Sequence, residues 1–219
     1  QKVDGIVTFP DAGPAMLPAY RQAVKAGIPV VPWAVGTSFP GKAGKDWSVV
    51  QTENSRASGT VYGEWLAKTL KGKGNYIILG GQPGSPTSKA IFDGAKAAIE
   101  KAAPGMKLLV NRNIDTNYDE AFTQKQVAGI LAKYPKIDGV ISGCGNCLPG
   151  AIRAFEQANR PLPAMTGDDN NGLGCAYQRL KPKNPSLKLA NVSGRTWLVR
   201  AATRKALAAA EGKSDTEPS

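Results

Sequence analysis

Along most of the chain, short apolar runs alternate with stretches in which apolar residues recur every three or four positions. The first run, Val3-Asp4-Gly5-Ile6-Val7-Thr8-Phe9, is rich in branched residues and is closed by Pro10-Asp11, so it predicts a strand. From Pro14 to Ala26 the positions Met16, Leu17, Tyr20 and Val24 fall at helical spacing, and Gly27 with Pro29 closes that helix. Ile28–Trp33 predicts a second strand, residues 35–48 a surface loop rich in Gly, Pro, Ser and Lys, and Val49–Glu53 a third strand. Asn54 or Ser55 is a suitable N-cap for a helix running to about Leu70, with Val61, Trp65, Leu66 and Leu70 on its apolar face. Four further pairs follow: strand 75–80 with helix 86–102, strand 106–111 with helix 119–133, strand 137–142 with helix 147–159, and strand 162–166 with helix 170–180. Strand 187–192 and a helix from Thr196 to about Ala210 complete the series, before a polar tail, Gly212–Ser219. Strands alternating with helices predict an α/β fold of parallel sheets flanked by helices on both faces.

In such a sheet the carboxyl ends of the strands line the crevice where small ligands bind. Ala164-Met165-Thr166-Gly167-Asp168-Asp169-Asn170 is a short apolar run that delivers carboxylates to that edge. Asp168 and Asp169 can accept hydrogen bonds from paired hydroxyls, or one of them, Asp168 in particular, can cap the helix that begins near Asn170. Glycosidase chemistry needs two carboxylates facing each other roughly 5–9 Å apart across a bond. Adjacent residues at a strand end point in opposite directions, which makes these two a poor acid/base pair. Gly81-Gln82-Pro83-Gly84-Ser85 lacks the Lys-Ser/Thr ending of a phosphate-binding loop and the three glycines of a dinucleotide fingerprint. It reads as a tight turn with Ser85 near the following helix cap and within reach of a ligand.

Composition narrows the chemistry. With 42% hydrophobic and 21% charged residues in 219, the chain is an ordinary globular protein, and no apolar run approaches the roughly 18 residues that would span a membrane. Lys and Arg number 28 against 17 Asp and Glu, a net charge of +11. Much of the excess is late: Arg179, Lys181, Lys183, Lys188, Arg195, Arg200, Arg204 and Lys205 fall in a stretch without an acid. No groove-reading helix or aromatic stacking platform accompanies it, so it reads as a solvated basic surface and no nucleic-acid partner is expected. Histidine is absent, which excludes Ser-His-Asp and Cys-His mechanisms and imidazole as a metal ligand. Cys144-Gly145-Asn146-Cys147 lies where a strand gives way to a helix, a setting open to redox work, to a structural disulfide or to free thiols. A zinc site needs four ligands and only three cysteines exist, so neither metal nor cofactor is expected.

In their order and spacing these segments resemble the periplasmic sugar-binding proteins of ABC transporters, of the ribose-binding, type I periplasmic binding protein family. The resemblance rests on Val3-Asp4-Gly5-Ile6-Val7 before Pro10-Asp11, on Ala26-Gly27-Ile28-Pro29-Val30-Val31, and on Thr52-Glu53-Asn54 before a Gly-containing helix. It continues through Gly81–Ser85, Tyr134-Pro135-Lys136-Ile137-Asp138-Gly139-Val140, Pro149-Gly150-Ala151-Ile152-Arg153-Ala154 and Thr166-Gly167-Asp168-Asp169. It implies a two-lobed fold, with residues 1–52 plus 195–219 in a first lobe and 53–194 in a second, and crossovers near Thr52 and Gly194. Family members carry two more β-α units before the position of Val3 and a returning segment after the last helix, so the first lobe is expected to be partial and the chain truncated at both ends.

The same resemblance implies a function. A monomeric periplasmic protein, not an enzyme, captures a small sugar or polyol in a cleft between its lobes and presents the closed form to a membrane permease. Asp169 matches the carboxylate that ligates sugar hydroxyls, and Asp168 stands in place of the aromatic beside it. Thr52 falls at a polar contact and Arg195 at an amide contact near the crossovers, Trp33 is placed to stack on a sugar face, and Asn117 with Tyr118 sits in a loop that usually presents an aromatic. Three contacts depart: Ile91 replaces a clamping arginine, with Lys89 half a helical turn away, Ala34 replaces an aspartate, and Cys144 replaces an asparagine. These departures argue against ribose and leave another pentose, a hexose, a polyol or a modified sugar. In an oxidising periplasm a disulfide joining Cys175 to Cys144 or Cys147 is expected, since the strand ends at 142 and 166 are neighbours. Two other readings remain: the effector-binding domain of a lactose-repressor-type regulator, marked by an upstream helix-turn-helix, and a thiol oxidoreductase using Cys144 and Cys147.

Overall fold

The computed structural model describes residues 2–36, 39–193 and 195–215. The expected crossover near Gly194 and the end of the polar tail lie outside them. By its internal contacts the chain divides into two units, one of Gln1–Ser55, Gly84–Thr87 and Arg195–Ser219, the other of Arg56–Pro83 and Ser88–Gly194.

The first unit holds a parallel sheet of β1 (Ile6–Thr8), β2 (Val30–Val35) and β3 (Gln51–Thr52), in that order, with α1 (Leu17–Lys25) and α7 (Trp197–Ala210). The central strand is apolar on both faces because both are covered. Val30 packs with Leu17 and Tyr20 of α1, while Val31 packs with Ala202 and Ala206 of α7. The β2–β3 register shifts between Trp33 and Val35, where Ala34 takes a left-handed φ of 55°. Lys205, counted above with the basic surface, is instead buried on α7 and paired with Asp215 at 3.5 Å.

The second unit is a five-stranded parallel sheet in the order β5-β4-β6-β7-β8, built from β4 (Gly74–Leu79), β5 (Met106–Leu108), β6 (Gly139–Ser142), β7 (Ala164–Asp168) and β8 (Leu189–Val192). The chain runs outward from β4 to β5, returns to β6 on the other side of β4, and continues to β8. That reversal places the topological switch point between β4 and β6, the position where open α/β sheets hold ligands. Alternate strand residues face opposite layers. Ile77, Leu79, Val140 and Met165 pack against α4 (Glu120–Leu131), α5 (Leu148–Gln157) and α6 (Asn171–Leu180). Tyr76, Ile78 and Ile141 pack against α2 (Ser55–Thr69) and α3 (Pro86–Ala102).

The packing of α2 on α3 is unusually close. A Cβ on Gly59 would run into the carbonyl of Ile91, one on Gly63 into that of Ala95, and one on Gly94 into that of Arg56. Only glycine permits such backbone contact, and it fixes the rotation of α2 against the sheet. The buried stripe of α2 is therefore Tyr62, Leu66 and Ala67, and Val61, expected on the apolar face, is 51% exposed. Among the described residues no helix is long and apolar enough to cross a membrane.

Candidate functional site

At the C-terminal edge of the second unit's sheet, β7 ends on Asp168, half-buried, and Asp169, exposed. The Tyr62 hydroxyl donates to Asp168 Oδ1 at 2.7 Å. The Asp169 N–H donates to Val192 O, which carries the β7–β8 ladder one residue past the strand and holds that backbone at the rim. Capping of α6 by Asp168 does not occur. Asn170 is the cap, with extended backbone and an Oδ1 that accepts from the N–H groups of Gly172 at 2.9 Å and Leu173 at 3.4 Å. Asp168 is still part of the strand, two residues too early for that geometry.

The loops beside the switch point are strapped to one another. Thr116, fully buried, donates from Oγ1 to Gly80 O, and the N–H groups of Thr116 and Asn117 both donate to Gly81 O. Asn117 and Tyr118 take successive left-handed φ values of 53° and 54°, which leaves Asn117 exposed at the rim. The Tyr118 ring lies against Gly81, where any Cβ would collide with it. Asn146 Nδ2 donates to Tyr118 O at 3.0 Å and ties the loop after β6 to this one.

That loop is closed by a disulfide between Cys144 and Cys147, with a Cα separation of 5.4 Å, and Cys175 is free and exposed. The expected bridge to Cys175 is therefore replaced by a local one. A 3₁₀ turn at Gly145–Cys147 brings the two nearby sulfurs together, whereas Cys175 stands more than a turn into α6, beyond the strand ends. Gly145 lies against the carbonyl of Asp168, and Ser142 Oγ bonds both the N–H and the C=O of Cys144, so the loop is pinned from both sides. Cys144 and Cys147 are 4% and 0% exposed. Thiol exchange requires an approach to one sulfur, and this burial does not serve it.

The other candidate positions divide. Ile91 is buried in the core with its Cδ1 against Gly143. Ala34 is buried at the register shift in β2. Cys144 is committed to its disulfide. The three positions that depart from the polar contacts of the resemblance are thus filled by groups that offer no side-chain hydrogen bond to a ligand. Lys89, in the first turn of α3, is exposed and its ammonium pairs with Asp93 Oδ2 at 2.6 Å, one turn further along the helix. Ser85 is buried one residue ahead of α3.

In the first unit, Trp33 is half-buried near the end of β2 and its ring meets Phe9 with centroids 5.5 Å apart, tilted by 47°. Thr52, half-buried, is the last residue of β3. Arg195, held at a left-handed φ of 48°, directs Nη2 to Glu53 Oε1 at 2.5 Å. Burial pushes the Glu53 carboxyl above its ordinary pKa, against the opposing pull of the Arg195 charge and of a hydrogen bond from Ser55 Oγ. Sequence reasoning passes over Tyr62, Glu53 and Phe9. Glu53, beside Thr52 after a strand, carries a usable signal, while Tyr62 reads as one more helical aromatic. Among the described residues no group of three or more acidic or cysteine side chains is arranged to hold a metal ion.

Residues 1–213 match the family model described as a periplasmic binding protein domain. A xylitol-binding protein of Mycolicibacterium smegmatis is 29% identical over 169 residues, 77% of this chain, and the chain spans 46% of that protein's length. An ABC transporter periplasmic solute-binding protein from Actinobacillus succinogenes, solved with bound D-allose, matches with a TM-score of 0.75 and 25% identity over 97% of this chain and 73% of its own. An ABC transporter solute-binding protein from Thermobispora bispora matches with a TM-score of 0.78 and 26% identity over 98% of this chain and 62% of its own. With a family model covering nearly its whole length, and parallel sheets whose carboxyl edges carry the polar rim, this chain belongs to the periplasmic binding protein domain family.

Proposed function

We propose that this chain is the solute-binding component of a sugar ABC transporter and captures a small sugar or polyol with the polar groups at the carboxyl edges of its sheets. The observation that carries this reading is the end of β7, which presents Asp168 and Asp169 beside the switch point of a parallel sheet. Carboxylates accept hydrogen bonds from neighbouring hydroxyls and discriminate their spacing in a partly desolvated site. Asp169 is the principal hydroxyl acceptor and Asp168 a second one, and Asn117, Trp33, Thr52 and Arg195 are the further candidate ligand contacts. The apolar groups at Ile91, Ala34 and Cys144 speak against ribose. A polyol presents hydroxyls along its whole length and lacks the apolar ring face that an aromatic covers, so a carboxylate at Asp168, where the sequence resemblance implies an aromatic, suits it. The similarity to a xylitol-binding protein supports the same branch.

In this reading no bond is made or broken. The ligand binds a closed form better than an open one and shifts the population towards it, and a membrane permease reads the closed form in the periplasm. A thermal-shift panel of pentoses, hexoses and polyols on the full-length protein tests this. At least one ligand should raise Tm in proportion to the logarithm of its concentration above Kd, unchanged after incubation, and Asp169→Ala should abolish the shift. Absence of stabilisation across the panel would overturn the reading.

A further inference from the structure

We propose that Tyr62 is a positioning residue for ligand binding: its phenol fixes one oxygen of the Asp168 carboxylate and so sets which hydroxyls the end of β7 accepts. This rests on the sugar or polyol reading above and names a residue that acts one step behind the ligand. Tyr62 is 1% exposed, in the core between α2 and the sheet, yet its hydroxyl reaches Asp168 Oδ1 at 2.7 Å, 106 residues away in sequence. Two features make this contact a constraint on the carboxylate. The first is the anchoring of Tyr62 itself. Gly59 and Gly63 flank it in α2, and their backbone contact with α3, together with that of Gly94, leaves the helix no room to rotate or slide.

The second is the direction of the phenol. Thr166, two residues before Asp168 on the same face of β7, is fully buried, and its Oγ1 has no hydrogen-bond partner among the described residues. The phenol donates to the carboxylate at the strand's end. A charged acceptor takes the stronger bond. Asp168 thus enters ligand binding with one oxygen already oriented, which removes rotamer freedom that the ligand would otherwise have to order. Asp169, the other carboxylate of the pair, is on the opposite side of the strand and is not held by this phenol.

The test is a double-mutant cycle on ligand affinity in the full-length protein, using the ligand that gives the largest shift in the panel. Tyr62→Phe keeps the buried ring and deletes only the hydroxyl. It should weaken Kd about five- to tenfold, the size of one ordinary hydrogen bond, since the phenol acts on the ligand only through the carboxylate that it holds. In an Asp168→Asn background the same change should alter Kd by less than about twofold, because the group through which Tyr62 acts is already gone. An unchanged Kd in Tyr62→Phe, or equal losses with and without the Asp168 carboxylate, would overturn the inference while leaving the functional reading intact. If Asp168→Asn binds too weakly to measure, ligand analogues each lacking one hydroxyl replace it. The Tyr62→Phe loss should then vanish for one analogue, and equal losses for all would overturn the inference. A parent protein that binds nothing in the panel removes both proposals together.

Discussion

Glu53 shows how one residue can be legible in sequence and still surprise in its state. Its side chain is 9% exposed, and burial raises its carboxyl pKa above the ordinary 4.5 even though Arg195 stands beside it. A carboxyl whose folded pKa is raised holds its proton more tightly in the folded state. Its contribution to stability is complete below the unfolded value and is lost as pH rises through the folded one. Glu53→Gln removes that dependence. Parent and variant compared by chemical denaturation should therefore diverge from about pH 4.5 upward, the parent losing stability relative to the variant as mild acid gives way to neutrality. A constant difference across this range would mean that the pair with Arg195 outweighs burial. The end of β7 teaches a related lesson. Two acids and two amides in a row, Asp168 to Asn171, are equivalent to a pattern, and the choice of Asn170 as cap depends on where the strand stops. Asn170→Ala should cost about 1 kcal/mol by the same measurement.

At the scale of elements, the hydrophobic pattern locates every strand and helix of the α/β series and misses mainly their ends and rotations. The helix expected at 86–102 matches Pro86–Ala102, whereas the strand expected at 106–111 is only Met106–Leu108. On α2 the expected Trp65, Leu66 and Leu70 pack on the core, but Val61 is exposed and Tyr62 is buried in its stead. Three- and four-residue spacing fits either, and what decides is the glycine contact with α3, a tertiary fact. That contact makes a sharp prediction. Gly94→Ala should destabilise by about 1–3 kcal/mol, because backbone must move to admit one methyl group. Gly129, exposed in α4 with nothing within 4 Å of where its Cβ would stand, is the control. Gly129→Ala should stabilise by about 0.5–1 kcal/mol. The cysteine pairing escapes the sequence for a different reason. Neighbouring strand ends make Cys175 look reachable, but a tight turn across three residues closes a bridge with less chain to order.

For the whole molecule, the alternation of strands and helices makes the parallel α/β architecture readable, because a strand covered on both faces must be apolar throughout. The strand order is not readable, since β4 and β6 are separated in sequence by β5 and only the sheet reveals the reversal between them. The net charge of +11 bears on solution behaviour more than on the site. A neutral polyol feels no long-range field, so its Kd should be the same at low salt and at about 0.5 M, where surface charges are screened within a few ångströms. A marked loss of affinity with salt would point to an anionic ligand instead.

One further property follows from the cysteines. With Cys144 and Cys147 joined and buried, Cys175 offers a lone exposed thiol on α6, in a groove shared with Asn146 and Asn170, and those two residues belong to the loops that frame the rim. A fluorescent dye coupled there would sit within one or two side chains of the binding edge without displacing it. Addition of the proposed sugar or polyol to protein labelled at Cys175 should therefore change the dye's emission, which fluorescence titration reads.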